Sequence, residues 1–299
     1  MLYLYPMNPG CPHLSCSSPH VISHGYYPRK DDSRRLKRFL CKGCGKSFSH
    51  STLSLEYKQR KRRINLPFLK LYCSSLSLRR IALVLGVNIK TAERRFFYWS
   101  KRSQGELRAL YEKLQHDPVT HLQLDDLITI EHTKLKPLSV TTMVDAKRRL
   151  ILGTRVSIIP AFGHLAALSR KKYGKRISQH KQKLTELFEQ MVPIVHPQAL
   201  IEFDKHKLYP QVQRQFFPQA EVKRYEGEKG CVVGQGELKK ISYDPLFKIN
   251  HTLAMLRANI NRLVRRTWCT TKKPENLQHH LNIFIYFYNQ YLLKNPLEG

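Results

Sequence analysis

The 299-residue chain is 41% apolar, which is enough for one full-sized core with smaller units beside it. Its 52 Lys and Arg residues against 22 Asp and Glu residues give a formal net charge of +30, far more than solubility requires, so we predict a polyanionic partner. No stretch approaches the roughly 20 apolar residues of a membrane span, and the first residues lack the pattern of a secretory signal. We therefore expect a cytoplasmic protein.

Cysteines in the first 50 residues form two close pairs, Cys11 with Cys16 and Cys41 with Cys44. Two such pairs, separated by a hairpin-length insert, can hold one zinc ion through four thiolates. The odd total of seven cysteines also fits metal binding better than disulfides. We predict a zinc ribbon over residues 1–50, folded largely by its metal. Because the first pair is widely spaced, nearby histidines remain alternative ligands: His13, His20 and His24.

Residues 51–117 combine helical periodicity with positive charge. After the basic run 58–63, residues 77–86 predict a helix that is capped at its start and ended by glycine, and residues 89–100 predict a second helix after a short turn. We interpret the pair as a helix-turn-helix that binds DNA; an ordinary helical hairpin is the alternative. The second helix begins with side chains that can reach bases and phosphates: Lys90, Thr91, Arg94 and Arg95.

The predicted sheet begins with the strand 121–130, which follows a polar, weakly helical link over residues 105–120. In this strand Asp125 lies on the more polar face and Asp126 on the apolar face, where a carboxylate needs a compensating partner. We predict further strands at 138–144, 150–159, 199–204 and 221–225, and helices at 179–191 and around Tyr209. Residues 160–178 and 226–240 are expected to be loops, and a long helix is predicted from Asp244 to about residue 267.

Two aspartates of this predicted α/β sheet can meet. If strands 121–130 and 199–204 lie side by side, Asp125 and Asp204 converge at one edge, where paired carboxylates predict a magnesium site for phosphodiester chemistry. A third ligand usually comes from a later helix, and Asn250 is placed there. Arg257 lies seven residues further along, on the same side, where it can meet a phosphate.

The chain resembles bacterial insertion-sequence transposases that combine a zinc ribbon, a helix-turn-helix and a ribonuclease-H-like catalytic domain. The resemblance covers nearly the whole chain. It is carried by residues 41–49, by Leu124 with the two aspartates after it, and by segments 203–210 and 250–268. It implies three units, 1–50, 51–117 and 118–299, that bind double-stranded DNA as a homodimer or higher multimer.

The resemblance also implies an Asp-Asp-Glu triad on two magnesium ions. Asp125 and Asp204 match the two aspartates, whereas Asn250 stands where the glutamate would be. Glu237 and Asp244 are the alternative third carboxylates. A non-catalytic DNA-binding regulator, or an inactive transposase remnant, would need the same zinc ribbon, helix-turn-helix and charge without the aspartate pair. An RNA-binding protein is a third possibility, because positive charge and the aromatic run 96–99 suit RNA as well.

Overall fold

The computed structural model describes residues 10–13, 16, 18, 20–226, 244–263 and 270–293. Its first unit is an antiparallel sheet in the order β1-β2-β3, formed by β1 (Val21–Pro28), β2 (Arg35–Cys41) and β3 (Ser47–Ser49). Phe39 and Phe48 stack in its small core, with ring centroids 5.6 Å apart. A core of this size contributes little stability by itself, so the fold of this unit also depends on the four cysteines that lie beside the core.

A helical unit follows, with α1 (His50–Leu53), α2 (Asn65–Cys73), α3 (Leu78–Val84) and α4 (Ile89–His116). The Ser77 side chain accepts a hydrogen bond from the Arg80 N–H at the start of α3, and the Asn88 side chain accepts one from the Lys90 N–H at the start of α4. Gly86, at φ +60°, supplies the left-handed residue between them. The two helices and their turn therefore form where the sequence places them.

The length of α4 differs from the prediction. The helix continues for 28 residues to His116, through most of the stretch expected to be only a weakly helical link. Its second half carries large apolar residues at helical spacing, and all of them pack in or against the large cores: Leu107, Leu110, Tyr111 and Leu114. A local helical period is therefore present in this stretch, and packing of its apolar face sustains the helix to His116.

The large sheet has five strands in the order β6-β5-β4-β7-β8. They are β4 (Val119–Glu131), β5 (Thr133–Asp145), β6 (Ile151–Ile158), β7 (Val195–Asp204) and β8 (Glu221–Tyr225). Antiparallel pairing joins β4 to β5 and β5 to β6, while β7 runs parallel to both β4 and β8. The predicted mixed α/β class is confirmed, and this strand order is compatible with the ribonuclease-H-like sheet that the resemblance implies.

The helices that cover the sheet are α5 (Leu165–Tyr173), α6 (His180–Met191), α7 (Leu208–Phe216), α8 (Phe247–Asn259) and α9 (Pro274–Phe287). The expected loop 160–178 is wrong where it contains α5. The predicted helix from Asp244 is also too long, since α8 begins three residues later. Asp244 instead forms a turn, in which its side chain accepts from the Leu246 N–H and its carbonyl accepts from the Phe247 N–H. The expected loop 226–240 lies almost entirely outside the described residues.

One hydrophobic core runs from the helical unit into the large sheet. Phe68 and Trp99 of the helices belong to the same buried cluster as Leu127 of β4 and Leu281 of α9. A second core, on the other side, contains Leu187 and other residues of α6 and α7. The predicted units 51–117 and 118–299 therefore share apolar packing. None of the described helices has both the length and the apolar character needed to span a membrane.

Candidate functional site

Parallel pairing of β4 with β7 aligns the two predicted aspartates. Gln123 pairs with Glu202 in the register of these strands, so two residues further along Asp125 is level with Asp204, the last residue of β7. The Asp204 carboxylate accepts a hydrogen bond from the His206 N–H at 2.9 Å, which fixes its orientation at the end of the strand. The structure thus brings Asp125 and Asp204 to one edge of the sheet.

Burial and charge make Asp125 electrostatically unusual. Burial first, and then the neighbouring charges of Asp204 and Asp126, raise its pKa from 3.8 to about 7. Arg257 on α8 opposes this shift, so its positive charge acts on the same carboxyl. Two carboxylates that repel each other offer oxygen ligands that fit a hard divalent cation such as magnesium.

The first turns of α8 are fastened to β4 beside these aspartates. The Gln123 side chain donates to the Pro245 carbonyl at 2.8 Å and accepts from the Ile249 N–H at 3.1 Å. Asn250 is the next residue, and its side-chain N–H₂ group donates to the Asp244 carboxylate at 3.0 Å. The same side chain carries a carbonyl oxygen, the atom that a metal would use. Glu237 lies outside the described residues.

Asp126 points to the opposite face of β4 and has its own partners. His180 of α6 contacts it at 2.8 Å, and Thr141 of β5 donates a hydrogen bond to it. Burial acts to raise the pKa of Asp126, but these hydrogen bonds outweigh burial and lower it. The sequence predicted that this carboxylate needs a partner, yet gave no signal for His180, which lies 54 positions away.

Glu202 forms a second buried network that the sequence did not indicate. It lies on β7 and accepts hydrogen bonds from Gln123 at 2.8 Å and from the Tyr225 hydroxyl at 2.7 Å. His121 contacts it at 2.6 Å. Burial acts to raise the pKa of Glu202, and these three partners together lower it. Glu202 therefore has three side-chain partners within the protein, whereas the Asp125 carboxylate accepts a hydrogen bond from the Asp126 backbone N–H at 2.7 Å.

The four predicted cysteines lie together in the first unit. The Sγ atoms of Cys11 and Cys44 are 3.7 Å apart, and those of Cys16 and Cys41 are 3.6 Å apart. Thiolates on one tetrahedral zinc are separated by about 3.8 Å, given Zn–S bonds of about 2.3 Å. The largest cause that lowers the pKa of Cys41, to about 6, is a hydrogen bond from the Cys44 backbone N–H, and neighbouring thiol and amide groups act in the same direction. The four thiols could hold a metal such as zinc, without any of the alternative histidines.

The predicted DNA-contacting side chains at the start of α4 separate into two groups. Lys90 and Arg94 are exposed and Thr91 is half-buried, so all three can be reached from solvent. Arg95 differs from the prediction, because its side chain is only 4% exposed and donates to the Arg60 carbonyl at 2.5 Å. Arg95 therefore supports the loop of residues 54–62 from within, at the lining of the groove between that loop and α4.

A groove of about 660 Å³ lies between that loop and α4. Its exposed cations are Lys58, Arg60, Lys61, Arg94 and Lys101, and its exposed aromatic residues are Tyr57 and Phe97. We call this surface the basic groove.

The loop behind the basic groove is held from two sides. Arg62 binds Asp31, in the β1–β2 turn, at 2.6 Å, and Glu56 accepts a hydrogen bond from Tyr98 of α4 at 2.8 Å. The first unit and α4 thus fix the same loop.

No protein-family model matches this chain, and a search of the curated proteins finds no match.

The cysteine cluster predicts metal content directly. Cys44→Ser should lower the zinc content of protein purified under reducing conditions by one equivalent, because three thiolates bind far less tightly than four. Cys73→Ser is the matched control, since Cys73 is buried in the helical core away from the cluster. Elemental analysis measures both variants, and equal zinc in the two would contradict a four-cysteine site.

Asp125 predicts an unusual pH dependence of stability. Between its unfolded pKa near 3.8 and its folded pKa of about 7, the native state binds more protons than the unfolded state. In magnesium-free buffer the free energy of unfolding should therefore fall as pH rises through this window, by about 2–4 kcal/mol. Urea denaturation measures it, and Asp125→Asn should flatten the curve.

Glu189→Gln, an exposed substitution on α6, is the control for this profile and should leave it unchanged. Adding magnesium at pH 8 should restore stability to the wild type and not to Asp125→Asn. A wild-type profile identical to that of Asp125→Asn would show that this carboxyl is not the titrating group.

Proposed function

We propose that this protein is the DNA transposase of an insertion sequence, which cuts and joins DNA at the ends of its element. The observation that carries the proposal is the parallel register of β4 and β7, which brings Asp125 level with Asp204, in a chain that also has a basic groove. A strand order compatible with a ribonuclease-H-like domain and a four-thiol cluster that could hold zinc both support it.

In the proposed reaction Asp125 and Asp204 hold magnesium, with the Asn250 side-chain carbonyl as third ligand. Magnesium would supply charge stabilisation for the phosphodiester and activation of the attacking water or DNA hydroxyl. Asn250 brings no negative charge, and its amide is oriented by Asp244. Arg257, whose charge acts on Asp125, would attract the phosphate. Glu237 and Asp244 stay the alternative third carboxylates.

DNA binding is assigned to the basic groove and the exposed start of α4. Lys90, Thr91 and Arg94 are proposed to contact the duplex, while Lys58 and Lys101 neutralise phosphates. Cleavage at two element ends also requires the protein to act as a homodimer or larger assembly on DNA. The cytoplasm, where the DNA of a bacterial cell lies, is the proposed compartment.

Catalysis is tested with linear DNA that carries the element ends, in the presence of magnesium. Asp204→Asn should reduce cleavage by more than about 1,000-fold, because one metal ligand is lost, while DNA binding stays intact or improves. Asn250→Ala should lose activity, and Asn250→Glu should retain or raise it. Glu189→Gln is the control. Full strand transfer by Asp204→Asn would refute the mechanism, and specific binding without cleavage by the wild type would favour the non-catalytic regulator.

Arg94 tests the DNA-binding assignment. If this side chain reads a base, Arg94→Ala should weaken binding to the element end by about 1–3 kcal/mol and leave binding to random DNA nearly unchanged. Arg108→Ala is the matched control, an exposed arginine about four turns further along the same helix. Competition binding at fixed salt measures both. Equal losses on both DNAs would reassign Arg94 to phosphate contact, and no loss on either would exclude this helix face.

A further inference from the structure

A cluster of possible ligands lies behind the aspartate pair, on the other face of β4. Asp126 comes from β4, His180 from the start of α6, and His206 from the turn after β7. One donor atom from each of the three side chains lies within 4.8 Å of the other two. Three separate elements of the fold therefore converge on one point, and the proposed reaction uses none of these side chains.

The donor types indicate which ions could bind. Two imidazoles and one carboxylate form a set that suits zinc, manganese, cobalt or iron, whereas magnesium prefers oxygen ligands alone. The Nε2 atom of His180 is 2.8 Å from Oδ2 of Asp126. Ligand atoms on a tetrahedral ion with bonds of about 2.0–2.1 Å are roughly 3.3 Å apart, so the pair would need to separate by only about half an ångström.

Thr141 gives Asp126 the outer support that metal-binding carboxylates usually have. Its hydroxyl donates to Oδ1 of Asp126, whereas Oδ2 is the oxygen that faces His180. Outer partners of this kind orient a ligand and hold its unused oxygen. One oxygen of Asp126 is thereby anchored to β5, and the other is directed into the cluster.

Tyr209 closes the cluster from α7. Its side chain is fully buried, and its ring lies 4.8 Å from that of His206 and 6.5 Å from that of His180, between centroids. Its hydroxyl interacts with the Asp126 carboxylate and helps to lower the pKa of that group. Like Thr141, it is an outer partner of the kind that orients a metal-binding carboxylate.

We propose that Asp126, His180 and His206 bind one divalent transition-metal ion, separate from the Asp125–Asp204 site. Such an ion would join β4, α6 and the end of β7, and so fix the backbone that carries both aspartates. The proposal does not depend on DNA chemistry. Without an ion, the same side chains would form a hydrogen-bonded cluster, and the two arrangements differ in their response to added metal.

The test uses the full chain with zinc in its cysteine site, in excess magnesium to occupy the Asp125–Asp204 site, titrated with cobalt(II) and followed by visible absorption. We expect one equivalent to bind with ligand-field bands and without the thiolate-to-cobalt band that displacement of zinc would produce. His206→Ala should weaken this binding by at least about 100-fold, since even the loss of an outer partner costs 10–100-fold. His206 is half-buried at a turn, so this variant is expected to fold.

His121→Ala is the matched control, because His121 contacts a buried carboxylate in the same way at 2.6 Å but belongs to no such cluster in the part of the chain that the structure describes. It should bind cobalt normally, and so should Asp204→Asn. The proposal is overturned if folded wild-type protein takes up no additional cobalt, or if uptake is lost in Asp204→Asn and kept in His206→Ala. Cobalt binding by a wild type that cleaves no DNA would reject the transposase proposal and support this one.

Discussion

The parallel pairing of β4 with β7 is the constraint on which the rest of the site depends. Two strands that run in the same direction, in fixed register, place Asp125 and Asp204 level with each other at one edge. Burial and mutual repulsion leave Asp125 with a pKa of about 7. The Gln123 side chain ties the start of α8 to β4. Asn250 and Arg257 of α8 are thereby held on the side of this pair.

The large sheet contains further buried acids, and each is compensated differently. Glu202 is satisfied by Gln123, Tyr225 and His121, and Asp126 by His180 and Thr141. The pKa of each is lowered, because hydrogen bonds and positive charge outweigh burial. Asp125 alone of the three has a raised pKa. Asp125 is therefore the one of these three acids whose charge the neighbouring protein groups do not stabilise enough to outweigh burial, and a bound cation could relieve it.

The basic groove depends on contacts between units rather than on α4 alone. Arg62 joins its loop to Asp31 in the first sheet, and Arg95 and Tyr98 hold the same loop from α4. The shared core continues from these helices into the sheet and α9. The helices that line the groove and the sheet that carries the aspartate pair therefore share one core.

Local pattern alone determined the mixed sheet, the bounds of β8, the starts of α3 and α4, and the grouping of four cysteines, because periodicity, capping and short spacing are properties of neighbouring residues. The predicted order of strands also allowed the strands of Asp125 and Asp204 to lie side by side. Tertiary structure decided the remainder. The burial of Arg95 and the meeting of Asp126 with His180 and His206 both result from packing between distant segments, which no local period encodes.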